Sequence, residues 1–280
     1  MTGSRPAIKR TAHVFGVNAA LAALAALTLF PLVWMIAASL MAPGETSVFP
    51  PPLLPRSATL ANYRQLFAAA GIERQIANSV LIATCATALS LVFNLGAGYA
   101  FAKLRFAGRD TTFRTLLGAL VIPGQVAMMP LFLMLKQMGL VNTYAGALVP
   151  WLASVFGIFL VRQYALSIPE ELLEAARIDG AGELRIFTSI VLPLLKPIVV
   201  TLAVLTFLGS WNDFMWPLIV LTDRDLQTLP VALAGLSREH VQDTELMMAG
   251  SVITVLPVLA LFLVLQRYYM QGLLMGSVKG

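Results

Sequence analysis

The sequence predicts an all-α, polytopic membrane protein with six transmembrane helices, and three observations carry that prediction. Of the 280 residues, 58% are apolar and only 12% are charged, where a soluble domain carries roughly 45–50% and about 25%. Mean hydropathy is +0.81. Six stretches are long enough to cross a bilayer, which takes about 20 apolar residues because the hydrocarbon core is about 30 Å thick and a helix rises about 1.5 Å per residue. The same composition excludes a disordered chain and argues against an ordinary soluble enzyme. The net charge of +5 includes no basic cluster beyond Arg5, Lys9 and Arg10, so no nucleic-acid partner is expected. One cysteine, Cys85, allows no internal disulfide, and two histidines, His13 and His240, cannot assemble a metal site.

The expected spans are approximately residues 15–40, 77–102, 114–136, 145–166, 197–221 and 248–270 of one transmembrane domain. The first follows a basic start and contains Ala-x-Ala triplets, as a signal peptide would. Its apolar run is about twice a signal core and passes through Pro31 and Trp34, so it reads as a retained span. Lys and Arg divide thirteen to six between the two sides. The larger share lies at both termini, in 103–114 and in 162–196, which places both termini in the cytoplasm. Proline recurs inside the spans, at Pro123, Pro130, Pro150, Pro217 and Pro257. It removes a donor and crowds the preceding turn, so Pro123-Gly124-Gln125 and Pro130 are candidates to bend a helix around a path.

Residues 167–193 are too charged to span and too apolar on one side to be a solvated loop. Ser167 and Glu170 have capping-box spacing. A helix to about Ile178 should carry Leu172, Ala175, Ala176 and Ile178 on one apolar side. Asp179-Gly180-Ala181-Gly182 reads as a turn in which glycine can supply a positive φ. A second helix should present Leu184, Phe187, Ile190 and Val191, with Pro193 ending or bending it. Such a pair lies at the membrane surface and wants a partner.

The spacing within this segment carries a resemblance. Glu174-Ala175-Ala176, Gly180, Ile190 and Leu192-Pro193 resemble the EAA loop of ATP-binding-cassette (ABC) importer permeases at all seven fixed positions. Asp179-Gly180-Ala181 and Phe187 are similar to the carbohydrate-uptake branch. Trp211-Asn212-Asp213-Phe214-Met215-Trp216-Pro217-Leu218 resembles a stretch of maltose- and glycerol-phosphate-type permeases. The ending, which includes Gly276, Ser277, Val278, Lys279 and Gly280, is similar to the tail of a maltose-type permease.

This resemblance implies a type I ABC importer transmembrane domain in a bacterial inner membrane. Its EAA loop would be the cytoplasmic coupling helix that docks on a separate ATPase. Glu174 would pair with a basic residue there, Ala175 and Ala176 would allow close approach, and Gly180 would make the turn. The tail from Gly276 to Gly280 would also reach the ATPase. The implied partners are a second homologous permease, two ATPase subunits, which would bind ATP and Mg, and an extracytoplasmic sugar-binding protein. The chain itself has no G-x-x-x-x-G-K-S/T phosphate loop, so it is expected to be non-catalytic and to hold no cofactor.

Candidate pathway residues are Trp211, Asn212 and Asp213, with Gln125 and Asn94 as weaker ones. An intramembrane carboxylate usually faces a bundle interior or a wet cavity, and sugar hydroxyls pair with Asn and Asp. The same residues could equally bond helix to helix. The resemblance places Leu229, Pro230, Leu233, Gly235 and Leu236 at the tip of an external loop, residues 222–247, that meets the binding protein; a passive connector is the alternative. Two other classes fit less well. An ion-coupled secondary transporter would be expected to show inverted repeats or intramembrane charge relays, and a membrane enzyme would need a ligand cluster or a nucleophile–base motif.

Overall fold

The computed structural model describes residues 5–239 and 243–277, and every regular element among them is helical. Three helices are continuous and apolar enough to cross a membrane: residues 13–39 of α1 (Arg5–Ser39), all of α3 (Ile72–Lys103), and residues 244–264 of α14 (Thr244–Ser277). Three more candidates are bent pairs. α4 (Arg109–Ala119) and α5 (Gly124–Gln137) meet at 104°. α6 (Tyr144–Leu148) with the 3-10 turn Val149–Trp151 meets α7 (Val155–Leu166) at 44°. Residues Glu183–Leu194 meet α11 (Lys196–Trp211) at 81°. Counting each bent pair as one span gives up to six.

Each break has a local cause. Between α4 and α5 the chain turns at residues 120–123, and Pro123 opens α5 in an extended conformation (φ −59°, ψ 131°), while Pro130 sits inside α5. Ser154 caps α7 by accepting the Gly157 N–H at 2.9 Å. The span expected at 197–221 is interrupted. α11 closes where Asn212 turns both its backbone N–H and its side-chain amide onto the Leu208 carbonyl. α12 (Met215–Val220) restarts behind Asp213, whose carboxylate accepts the Trp216 N–H at 3.4 Å.

The chain divides into two compact units. In the unit formed by residues up to Gly71 and Leu233–Leu256, the apolar side chains of α1 such as Phe15, Leu27 and Val33 are exposed. The end of α1 is closed by Asn62 of α2 (Ala61–Ala70), which donates to the Ser39 and Met41 carbonyls at 2.9 and 2.8 Å. Those terminal carbonyls have no partner within the helix. Buried Glu245 accepts from the backbone and hydroxyl of Thr46 at 2.7 and 2.9 Å. Expected as part of a polar loop, Glu245 is instead an internal acceptor.

The unit containing Ile72–Ala232 is built around α3. Leu95, Tyr99 and Ala102 of α3 share a core with Val161 and Ala165 of α7 and with Ile198 and Leu202 of α11. Close approach rests on small residues. A Cβ on Gly98 would lie 2.5 Å from Val161 side-chain atoms, and one on Gly157 would lie 2.9 Å from Asn94. Asn94 is fully buried and ties two helices, donating to Ser90 Oγ at 2.7 Å and accepting the Ser154 N–H at 2.9 Å.

Residues 229–236 are not the tip of a loop. They lie in α13 (Leu229–Glu239), with Leu229, Leu233 and Leu236 buried, Pro230 half-buried and Gly235 exposed. The reason is upstream: Gln75 donates to the Arg224 carbonyl, Asn78 to those of Asp225 and Gln227, and Ser79 accepts the Leu229 N–H. The exposed polar turn is Thr222–Asp225.

Gly98→Val should lower the melting temperature of the purified protein markedly, since overpacking a tight helix contact costs about 1–3 kcal/mol. Gly96→Val is the matched control, because a Cβ at Gly96 meets nothing within 4 Å. Thermal unfolding of the two variants, which share the cost of a β-branched residue in a helix, separates packing from propensity.

Candidate functional site

The segment after α7 begins with α8 (Glu170–Ile178) and turns at Gly180. Ala181 N–H bonds the Ala176 carbonyl and Gly180 N–H bonds that of Arg177, both at 3.0 Å. This pair is the Schellman closure, which places its C′ residue in the left-handed region. Gly180 has φ +82° there. α9 (Glu183–Ile186) follows and runs through a π turn, Phe187–Val191, into α10 (Leu192–Leu194).

One side of the segment is fixed in the core. Leu173, Ile186 and Val191 are buried, and Ala176, Ala181, Phe187, Ile190 and Leu192 pack against the same cluster. The other side is uncovered: Leu172, Glu174, Ala175 and Asp179 are exposed, Ile178 is 86% exposed and Leu184 76%. Leu173 and Ile186 anchor the pair in the core. Leu172, Ala175 and Ile178, expected on one apolar side that wants a partner, are uncovered, whereas Leu184 parts from Phe187, Ile190 and Val191, with which it was expected to share a face. The bend falls at Leu195, between Leu194 and α11, with exposed Pro193 inside α10.

The capping box does not form. Ser167 Oγ donates backwards to the Tyr164 carbonyl, and the Glu170 carboxylate is taken by two cations. Buried Lys103 at the end of α3 holds Glu170 Oε2 at 3.3 Å and the Ile168 carbonyl at 2.6 Å. Arg177 holds Glu170 Oε1 at 3.3 Å and Glu183 Oε1 at 2.8 Å. The ring closes where Tyr99 of α3 donates to Glu183 Oε2 at 2.8 Å. Burial pushes the Glu170 carboxyl up, but the bonds from Lys103 and Arg177 outweigh it and hold the group below the usual range. The Arg177 and Tyr99 bonds do the same for Glu183. Glu183 and Glu170 in turn raise Arg177.

A second feature lies where three helices break. Gln125 at the start of α5, Trp151 of the 3-10 turn, and Asp213 between α11 and α12 line one cavity of about 400 Å3, with Trp216 of α12. Trp216 is held by its indole N–H on the Gly146 carbonyl at 3.1 Å, and Trp151 lies against Gly209, where a Cβ would come within 2.9 Å of the ring. The structure thus brings Gln125 and Asp213 together and adds the two tryptophans, Trp151 and Trp216. The other candidates sit elsewhere. Asn94 is spent between helices, Trp211 is buried and stacks on Phe207 with centroids 6.0 Å apart, and Asn212 closes α11. Gly276 and Ser277 continue the α14 backbone, and Val278, Lys279 and Gly280 lie outside the described residues. No group of three or more His, Cys, Asp or Glu that could hold a metal exists among the described residues.

A helical membrane protein that pairs a broken-helix cavity with a rigid, uncovered surface segment has the architecture of a transport permease. The chain belongs to the family described as the binding-protein-dependent transport system inner membrane component, which matches residues 94–274. It is 41% identical to the arabinooligosaccharides transport system permease protein AraQ of Halalkalibacterium halodurans, over 92% of this chain and 93% of that protein. It is 33% identical to the lactose transport system permease protein LacG of Rhizobium radiobacter, over 90% and 92%. The crystal structure of a bacterial ABC transporter involved in import of the acidic polysaccharide alginate contains a chain that superposes with a TM-score of 0.81 at 26% identity, over 93% of this chain and 98% of that one.

Both ring carboxyls have folded values below the ordinary 4.5. Their contribution is therefore complete at neutral pH and is lost as pH falls below about 4.5 through the folded values. Arg177→Met should speed amide exchange across residues 170–187 about three- to fivefold at neutral pH, as for an ion pair worth up to about 1 kcal/mol. Arg177→Lys should recover part of the protection, and the gap from wild type should close in acid.

Proposed function

We propose that the chain is one permease subunit of a bacterial ATP-driven importer for a sugar or related polyol, forming half of the translocation pathway. The observation that carries this reading is a surface held rigid on one side and left bare on the other. Glu174 stands on that surface beside Ala175, flanked by Leu172, Ile178 and Leu184. Apolar side chains arranged this way lose water only when a partner arrives, and the small Ala175 lets that partner come close. The partner would be the cytoplasmic ATPase, docking on the Glu174–Pro193 region with the tail from Gly276 to Gly280 nearby. ATP and Mg would be bound there, since this chain has no phosphate loop. Relatives named for arabinooligosaccharide and lactose transport support a sugar as cargo.

The remaining partners are a second homologous permease and an extracytoplasmic sugar-binding protein, with both termini of this chain in the cytoplasm. The exposed turn at residues 222–225, rather than the buried leucines of α13, is the described part of the 222–247 segment that we assign to the binding protein. Closure of the ATPase pair would move the α8–α9 segment as one body. The breaks around the cavity would then let the spans reorient about the cargo.

Glu174→Ala should weaken ATPase attachment and abolish uptake while the permease still reaches the membrane. Truncating one member of a desolvated charge pair commonly costs about 2–5 kcal/mol. Co-purification of the ATPase together with an uptake assay checks this, and normal recovery with normal uptake would overturn the docking assignment. Gly180→Val should be at least as damaging. A left-handed conformation costs a residue with a Cβ about 1–2 kcal/mol, and a β-branched side chain has further difficulty at φ +82°. Uptake at the wild-type rate would show that the turn is dispensable.

A further inference from the structure

We propose that the cavity beside Asp213 selects uncharged glycans and rejects anionic ones, with Asp213 as the residue that sets the choice. The inference rests on the sugar-import reading and narrows it. Among the described residues two polar side chains line the cavity, the Gln125 amide and the Asp213 carboxylate, and no Lys, Arg or His does. The rest of the wall is apolar, including Met128, Leu131 and the indoles of Trp151 and Trp216. Both indoles are held in place, Trp216 by its bond to the Gly146 carbonyl and Trp151 by its seat on Gly209.

The volume of about 400 Å3 falls within the range of roughly 300–1,000 Å3 in which small-molecule sites occur. Fixed aromatic faces cover the C–H side of a sugar ring, as apolar surfaces with a polar edge do. A carboxylate and an amide can exchange hydrogen bonds with hydroxyls. The Asp213 carboxylate accepts the backbone N–H of Trp216 at 3.4 Å on Oδ1 and a further backbone bond from Met215, neutral donors that do not cancel its charge.

An acidic sugar would place a second negative charge a few ångströms from Asp213 without a cation in the lining to offset it. At a separation of about 5 Å and an effective dielectric of about 20, that repulsion lowers occupancy about a hundredfold. The fold does not make this choice. The same architecture serves relatives named for arabinooligosaccharides and lactose and a structural neighbour that imports acidic alginate. The fold therefore leaves selection by charge to side chains, and in this chain those of the cavity lining carry the proposal.

The test uses the assembled complex of permeases, ATPases and binding protein in proteoliposomes. In a Cys85→Ala background, Gln125→Cys, with Met128→Cys as a second reporter, is labelled by cationic and anionic methanethiosulfonate reagents of matched size. The cationic reagent should react at least tenfold faster, after correction for the ratio on a free thiol. Asp213→Asn should remove most of that preference and Asp213→Glu should keep it. Uptake of a neutral pentose or hexose trisaccharide is measured beside that of its uronate counterpart, and only the neutral one should enter. Uronate uptake at a comparable rate, or a labelling ratio unchanged by Asp213→Asn, would overturn the charge selection and leave the importer reading intact. Import of neither saccharide, with the labelling preference present, would instead overturn the sugar reading and with it the glycan assignment.

Discussion

In hydrocarbon a backbone N–H or C=O without a partner costs several kcal/mol, so irregular chain survives there only where protein or a cavity satisfies it. The larger unit is organised by this constraint. α3 runs unbroken for 32 residues and supplies the packing surface for α7 and α11. The elements around it break, and polar side chains stand at the breaks: Ser154 and Asn94 before α7, Asn212 after α11, and Asp213 before α12. The cavity opens where three such breaks meet. There the Asp213 carboxylate accepts a backbone N–H at the start of α12.

The two features of the unit use charge in opposite ways. Around α8 and α9 the charges are paired. Lys103, Glu170, Arg177, Glu183 and Tyr99 form a closed circuit that joins both short helices to the end of α3. Individual exposed pairs stabilise little, but a closed circuit fixes the position of the two short helices relative to the end of α3. In the cavity one carboxylate, Asp213, stands without a paired cation among the described lining residues. Glu174 is a third case, exposed on a fixed helix and available to a partner.

What the sequence disclosed follows the range of the interactions involved. Helical class and the rough number of spans come from composition and apolar run length, which are local sums. The Gly180 turn and the end of α8 at Ile178 were legible because a Schellman closure is made by residues within one turn. Expectations failed where a distant group intervened. The Ser167–Glu170 box was displaced by Lys103, 67 positions before Glu170. The loop imagined at Leu229–Leu236 is a packed helix because Gln75, Asn78 and Ser79 hold its approach. Three- and four-residue spacing named an apolar side at Leu172 and Ile178 but not whether the core or a partner covers it. Trp151 gave no signal, since its place in the cavity depends on a break in its own helix and on Gly209 in another.

The bond between Thr46 and Glu245 spans 199 positions. A ribosome adding about 5–20 residues per second needs roughly 10–40 s to travel between them. For that interval the turn after the first helix has been made and its acceptor has not. The smaller unit is therefore completed only when α14 emerges, and a nascent chain that stops short of Glu245 cannot make this bond.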